Sequence, residues 1–156
     1  MGMKEHTDYM RLHEMPVRAD QFWRLHHVGF VVSSIEAVAD SFARSIGATW
    51  NQKVIHDPLQ VVRVAFVQGC NPSCASVELV EPAGPNSPVQ SFLQRGGGLH
   101  HLCYEVDQLE EQLKVSRSIG GVTVRPPLPA VAFGGRRIAW VFTKEKLLLE
   151  FLEVAN

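Results

Sequence analysis

Apolar positions along this chain change their spacing in the same order twice. Residues 25–32 and 99–106 are rich in β-branched and aromatic side chains, as strands are. After the first, Ile35, Val38, Ala39, Phe42 and Ile46 recur three and four apart, which predicts a helix with one buried stripe. Ser33-Ser34 offers an N-cap and Gly47 an end. Strands are predicted next at about 49–55, 60–67 and 75–81, broken by Asp57-Pro58 and by residues 69–73. The second pass has Asp107 as cap, a helix to about 119, a short strand near 122–125 and a Pro-rich loop at 126–130. A hairpin turn at Gly134-Gly135 then joins strands at 137–142 and 147–153. Each half reads β-α-β-β-β, and the fold class is α+β.

The repetition extends to single letters. Leu25-His-His and Leu99-His-His open the two halves, and both helices end in Arg-Ser-Ile-Gly, at residues 44–47 and 117–120. Two copies of one supersecondary unit account for this order. We therefore expect an N-terminal extension at 1–23 and a single domain at 24–154. That domain consists of modules 24–82 and 97–154, joined by a connector at 83–96 whose short helix lies at about 88–95. Alternation along a strand predicts that His100 and His101 point to opposite faces, His101 sharing its face with Cys103 and Glu105. By the same rule His26 and His100 are expected to face away, toward the helices.

Two acids interrupt the most apolar strands: Glu78 within Val77-Glu-Leu-Val80, and Glu150 within Leu147-Leu-Leu-Glu-Phe-Leu152. An ionised carboxylate buried alone costs several kcal/mol, so it is normally paired or bound to a metal. Each acid lies in the last strand of a module that begins with a histidine pair. The duplication thus supplies one imidazole and one carboxylate twice, His27 with Glu78 and His101 with Glu150. Such a nitrogen and oxygen set suits a divalent transition ion with positions left for water or substrate.

Composition narrows the partners. A net charge of -1 gives no electrostatic basis for nucleic acid or an anionic membrane. No apolar run has the length of a membrane span, and Lys4, Glu5 and Asp8 interrupt any signal-peptide core at the start. Cys70, Cys74 and Cys103 are too few and odd in number for a disulfide framework, so the cytoplasm is the expected compartment.

At the histidine pairs and the interrupted strands the chain resembles the vicinal oxygen chelate (glyoxalase/bleomycin resistance/dioxygenase) superfamily. The resemblance covers about residues 24–154. It implies paired βαβββ modules forming a curled, barrel-like mixed sheet around a metal, with helices outside. Within the superfamily the chain is most similar to methylmalonyl-CoA epimerase, through Gly97-Gly-Leu-His-His-Leu-Cys-Tyr-Glu-Val-Asp107, Gly134-Gly-Arg-Arg-Ile-Ala-Trp-Val141 and Leu147-Leu-Leu-Glu-Phe151. The resemblance implies a divalent ion such as cobalt, nickel, zinc or manganese on His27, Glu78, His101 and Glu150, with Glu150 also the catalytic base. Epimerases usually have glutamine where Glu78 stands, and two histidines with two glutamates resemble bacterial glyoxalase I. Epimerases also use a second acid, from the middle strand of the first module. Alignment puts Arg63 there, and arginine does not take up a proton at neutral pH.

These features imply a metal-dependent isomerase or epimerase that moves a proton next to a coordinated carbonyl, on a small substrate with acyl-CoA among the candidates. Arg63 is a candidate for a substrate carboxylate or phosphate, or is a solvated strand residue. Arg136 and Arg137 are candidates for an anionic cofactor tail, or are hairpin charges. Two alternatives stay open: a glyoxalase I-type lyase acting on a glutathione hemithioacetal, and a ligand-sequestering protein of the bleomycin-resistance kind. Module pairing leads us to expect a homodimer.

Overall fold

The structure, a computed structural model, describes residues 22–71 and 73–155. The expected N-terminal extension therefore lies, except for its last two residues, outside the described residues, and β1 (Trp23–Val31) begins where it ends. The first module continues with α1 (Ile35–Ser45), β2 (Thr49–Trp50), β3 (Ile55–Asp57), β4 (Val62–Gln68) and β5 (Ser76–Pro82). The connector holds α2 (Gln90–Gln94). The second module is β6 (Gly98–Val106), α3 (Leu109–Ser118), β7 (Val122–Pro129), β8 (Arg137–Phe142) and β9 (Leu148–Glu153).

The nine strands among the described residues form one mixed sheet, ordered β2-β4-β5-β1-β6-β9-β8-β7, with β3 also pairing β4. Within each module the first and last strands are parallel, β1 with β5 and β6 with β9. The modules meet at the antiparallel pair β1–β6. The sheet is mixed and curled as expected, and it does not close. Its two ends nevertheless approach. Asp57 Oδ2 accepts from Val131 N–H at 2.7 Å, and Arg125 on β7 reaches Gln60 just beyond β3.

Helices cover the outer face. Ser34 caps α1 through its side chain, and Ile35, Ala39 and Ala43 bury against Ala65, Val67 and Leu79. Leu109 and Leu113 of α3 pack on Val106, Ala139, Val141 and Phe151. None of the helices among the described residues is long and apolar enough to cross a membrane.

Several expectations shift. Ile46 closes α1 as its C-cap and is 51% exposed instead of buried, because the helical register ends one residue before it. The strand expected at 49–55 splits into β2 and β3, with Gln52 at φ 59 between them. Asp107 is not the cap of α3: Gln108 occupies that position, without a side-chain bond. The Pro-rich loop is instead part of β7. Pro126 and Pro127 fit there because β7 is an edge strand and its pairing slips between Arg125 and Leu128, where missing N–H groups leave no ladder bond unmade.

Asp57 holds the sheet's ends together. Its Oδ1 accepts from the N–H groups of Leu59 and Gln60, each at 3.0 Å, and the residue is 2% exposed. In Asp57→Asn a side-chain amide would face either Val131 N–H or that pair of donors. The expected cost is about 2 kcal/mol, read as a drop of roughly 4–8 °C in melting temperature. An unchanged melting curve would refute this role.

Candidate metal centre

Strand register brings the two halves of the chain to one point. Gly29 on β1 stands opposite Glu78 on β5 and opposite His101 on β6. The mirror-related row runs from His27 through Cys103 to Glu150. In both rows a histidine of one module lies two strands from the glutamate of the other's sheet half, with one small residue between them. Gly29 must be small, since a Cβ there would lie 2.0 Å from His101 Cε1.

The four predicted ligands therefore converge, and all are buried. His27 Nε2 lies 3.1 Å from His101 Nε2, 3.3 Å from Glu78 Oε2 and 3.1 Å from Glu150 Oε2. His101 Nε2 lies 3.5 Å and 3.6 Å from the same two oxygens. Ligand atoms each about 2.1 Å from one ion stand about 3.0–3.4 Å apart, so these spacings fit a shared cation. Glu150 Oε2 points the same way: it is buried and has no hydrogen-bond partner, although two imidazole nitrogens lie close. Two nitrogens and two oxygens make a set of borderline softness, suited to zinc, cobalt, nickel or manganese.

The expectation that paired histidines face opposite ways is corrected. In the β1–β6 ladder Leu25 pairs with Tyr104 and His27 with Cys103, which leaves His26 as an extra residue. Gly29 pairs with His101 and Phe30 with Leu99, which leaves His100 extra on the other strand. Each is a β-bulge, and a bulge cancels the alternation locally and re-aims side chains. His26 Nδ1 then lies 2.9 Å from His27 Nδ1, and His100 Nδ1 lies 3.0 Å from His101 Nδ1. The first histidine of each pair thus engages the far nitrogen of the second and leaves its Nε2 aimed at the carboxylates, a contact that fixes ring orientation.

Charges in the cluster are strongly coupled. Burial alone would lower the His27 pKa, but the carboxylates of Glu78 and Glu150 outweigh it and push it up to about 10. Burial would raise the Glu78 carboxyl, yet His27 and His101 hold it well below the usual carboxylate range. His100 is pushed down to about 4, first by burial and then by His101. Burial, then the charge of Glu150, keeps the Cys103 thiol protonated. A cation must displace the His27 proton at any pH below about 10. Zinc affinity is therefore expected to climb from pH 6 to pH 8, by up to about tenfold per unit for one proton released. Calorimetry in buffers of different ionisation enthalpy reads that proton directly, and a pH-independent affinity would refute it.

Three of the four cluster residues line a cavity of about 430 Å³. Glu78, His101 and Glu150 line it together with His100, Phe133 and Trp140, and apolar walls come from Val62, Val64 and Val80. None of the three candidate arginines lines it. Arg63 points out of the sheet and pairs with Glu36 and Glu81, because its neighbours Val62 and Val64 take the inward positions. Arg136 bonds Glu105 at 2.5 Å, and Arg137 is held by Glu110 and Glu153 on the outer side. Gln60, Arg125 and Asp57, which are not among the predicted site residues, do line the cavity. Only the polar side chain at Gln60, ahead of an apolar strand, was a signal.

The chain is similar to several known proteins. The ethylmalonyl-CoA/methylmalonyl-CoA epimerase of Cereibacter sphaeroides is 28% identical over 124 residues, spanning 78% of this chain and 90% of that one. The uncharacterised protein YqjC of Bacillus subtilis is 32% identical over 134 residues, 83% of this chain and 91% of that one. A solved structure of a Streptomyces coelicolor methylmalonyl-CoA epimerase variant, in complex with 2-nitronate-propionyl-CoA, superposes with a TM-score of 0.71. It is 21% identical and covers 85% of this chain and 98% of that one, a likeness of fold. Residues 26–140, most of the duplicated region, match the family model directly: the chain belongs to the glyoxalase/bleomycin resistance protein/dioxygenase superfamily.

Proposed function

We propose that this protein is a metal-dependent isomerase that transfers a proton at the carbon next to a carbonyl, in the manner of a methylmalonyl-CoA epimerase. What supports this reading most is the convergence of His27, Glu78, His101 and Glu150 beside a cavity large enough for the acyl part of a substrate. The epimerase relatives point to an acyl-CoA as the first substrate class to try.

His27, Glu78, His101 and Glu150 would hold the ion. When bound, it supplies a Lewis acid that stabilises negative charge developing on the substrate's carbonyl oxygens. Glu150 takes the α-proton on its carboxylate, from a position beside the reacting carbon, and returns it. Phe133 and Trp140 exclude water from that proton's path. His26 and His100 keep the ligating rings in place.

The β4 wall, where a second base would stand in an epimerase, carries Val62 and Val64. Glu150 alone serves one face: it can move a proton between neighbouring carbons or exchange it, whereas inversion at a single carbon needs a second donor on the opposite face, which this wall does not supply. A second reading follows from the same observation together with Glu78: glyoxalase I-type isomerisation of a glutathione hemithioacetal. Exchange of α-protons into deuterated water, followed by mass spectrometry across acyl-CoA thioesters and the methylglyoxal–glutathione adduct, separates the two. Exchange with the thioesters supports the first, and turnover of the adduct alone supports the second. No exchange with either by zinc-, cobalt- or nickel-loaded protein would overturn both and leave ligand sequestration. A cytoplasmic homodimer belongs to the same proposal, and a monomer in sedimentation at micromolar concentration would remove the dimer.

A further inference from the structure

The cavity lining includes polar side chains, Gln60 and Arg125, that the metal cluster does not explain. Arg125, Trp140 and Glu150 lie in register across β7, β8 and β9. Two strand spacings put the Arg125 backbone about 10 Å from that of Glu150. Pairing slips on both sides of Arg125, so the strand is re-aimed there. Arg125 is the one arginine or lysine among the described residues that line the cavity.

Its bonding is incomplete. Nη1 donates to Gln60 Oε1 at 2.9 Å and Nη2 to the Leu59 carbonyl at 3.5 Å, and both acceptors are neutral. Arg63, Arg136 and Arg137, in contrast, each meet a carboxylate. Gln60 is 7% exposed, and its Nε2 is buried with no partner. A buried amide donor left unpaired is costly, so it marks a place for an acceptor. Asp57 lies in the same wall, but its oxygens are already engaged by three backbone N–H groups.

We propose that Arg125 and Gln60 form an anion subsite for a carboxylate at the far end of the substrate. The reacting part of the substrate is then a short carbonyl chain that ends in a carboxylate, with an apolar middle that lies along Ile138, Trp140 and Phe133. A planar carboxylate matches the guanidinium fork and can accept from the Gln60 amide as well. The proposal rests on the reading that the His/Glu cluster receives the reacting end.

The test compares 2-oxoadipate with 2-oxohexanoate, which lacks the far carboxylate, by calorimetry on cobalt-loaded protein. The wild type is expected to prefer the diacid by about tenfold. Arg125→Met removes the charge and should bring the two acids within about twofold. Gln60→Glu keeps the fold's shape and places an internal carboxylate against Arg125, so it should abolish the preference even if the methionine variant folds poorly. Equal binding by the wild type, or a preference that survives both substitutions, overturns the subsite. Cobalt titration without any acid is run separately. Failure of the wild type to bind cobalt overturns the metal reading instead, while the two acids can still be compared on metal-free protein.

Discussion

Glu150→Gln is expected to lose divalent-ion binding by more than about 100-fold and to show no α-proton exchange. The loss of affinity should exceed the 10–100-fold typical of residues that only support a ligand. Glu150 Oε2 is a buried acceptor with imidazole nitrogens at 3.1 Å and 3.6 Å and no hydrogen bond of its own. The amide of glutamine is nearly the same shape but puts a neutral group at that point. Thermal melting with and without cobalt gives the clearest readout. At a cobalt concentration about 100 times the dissociation constant, the wild type should gain about 2.7 kcal/mol, or roughly 5–11 °C in a domain of this size. The variant should gain nothing, while Glu145→Gln, on an exposed side chain, should match the wild type. If Glu150→Gln keeps the cobalt-induced shift, the four groups are a structural ion-pair cluster and no enzyme of this kind is present.

Gly29→Ala should do comparable damage without touching a ligand. Gly29 lies between Glu78 and His101, and its missing side chain is the space the His101 ring occupies. An added Cβ would meet Cε1, Nδ1 and Nε2 of that ring at 2.0, 2.3 and 2.5 Å. The ring is buried and held at Nδ1 by His100, so it can yield only by leaving the cluster. We expect a stability cost of about 1–3 kcal/mol from overpacking, together with loss of the cobalt-induced rise in melting temperature. A double variant, Gly29→Ala with His101→Ala, isolates the cause. The clash is then gone, so the two stability costs should add to less than their sum, while ion binding stays lost. Additive costs would show that Gly29 acts through the backbone and not through the ring.

Much of this site was legible in one sequence because the chain states it twice. The paired histidines, the helices ending in Arg-Ser-Ile-Gly, and an acid inside each last strand recur in the same order. Two apolar strands interrupted by Glu78 and Glu150 would be unfavourable unless something paired those charges, and that physical conflict identified all four groups. Readings that depend on strand parity were left open or went astray. Arg63 is one residue from the inward positions, and a one-residue step moves a side chain to the other face of a sheet. His26 and His100 failed for the opposite reason. Period-2 alternation holds only in a regular ladder, and the bulges that cancel it arise where β1 pairs with β6, far away in sequence.

The sequence by itself determined the duplicated βαβββ order, the helix faces and the identity of the converging imidazoles and carboxylates. Those follow from local periodicity and from the cost of burying charge, which act on neighbouring residues. Only the tertiary structure decided that the sheet stays open while its ends meet through Asp57 and Arg125. It also decided that the first histidine of each pair supports the second, and that the wall facing Glu150 is apolar. Each of these depends on pairing register and sheet curl, which are set by contacts between residues dozens of positions apart.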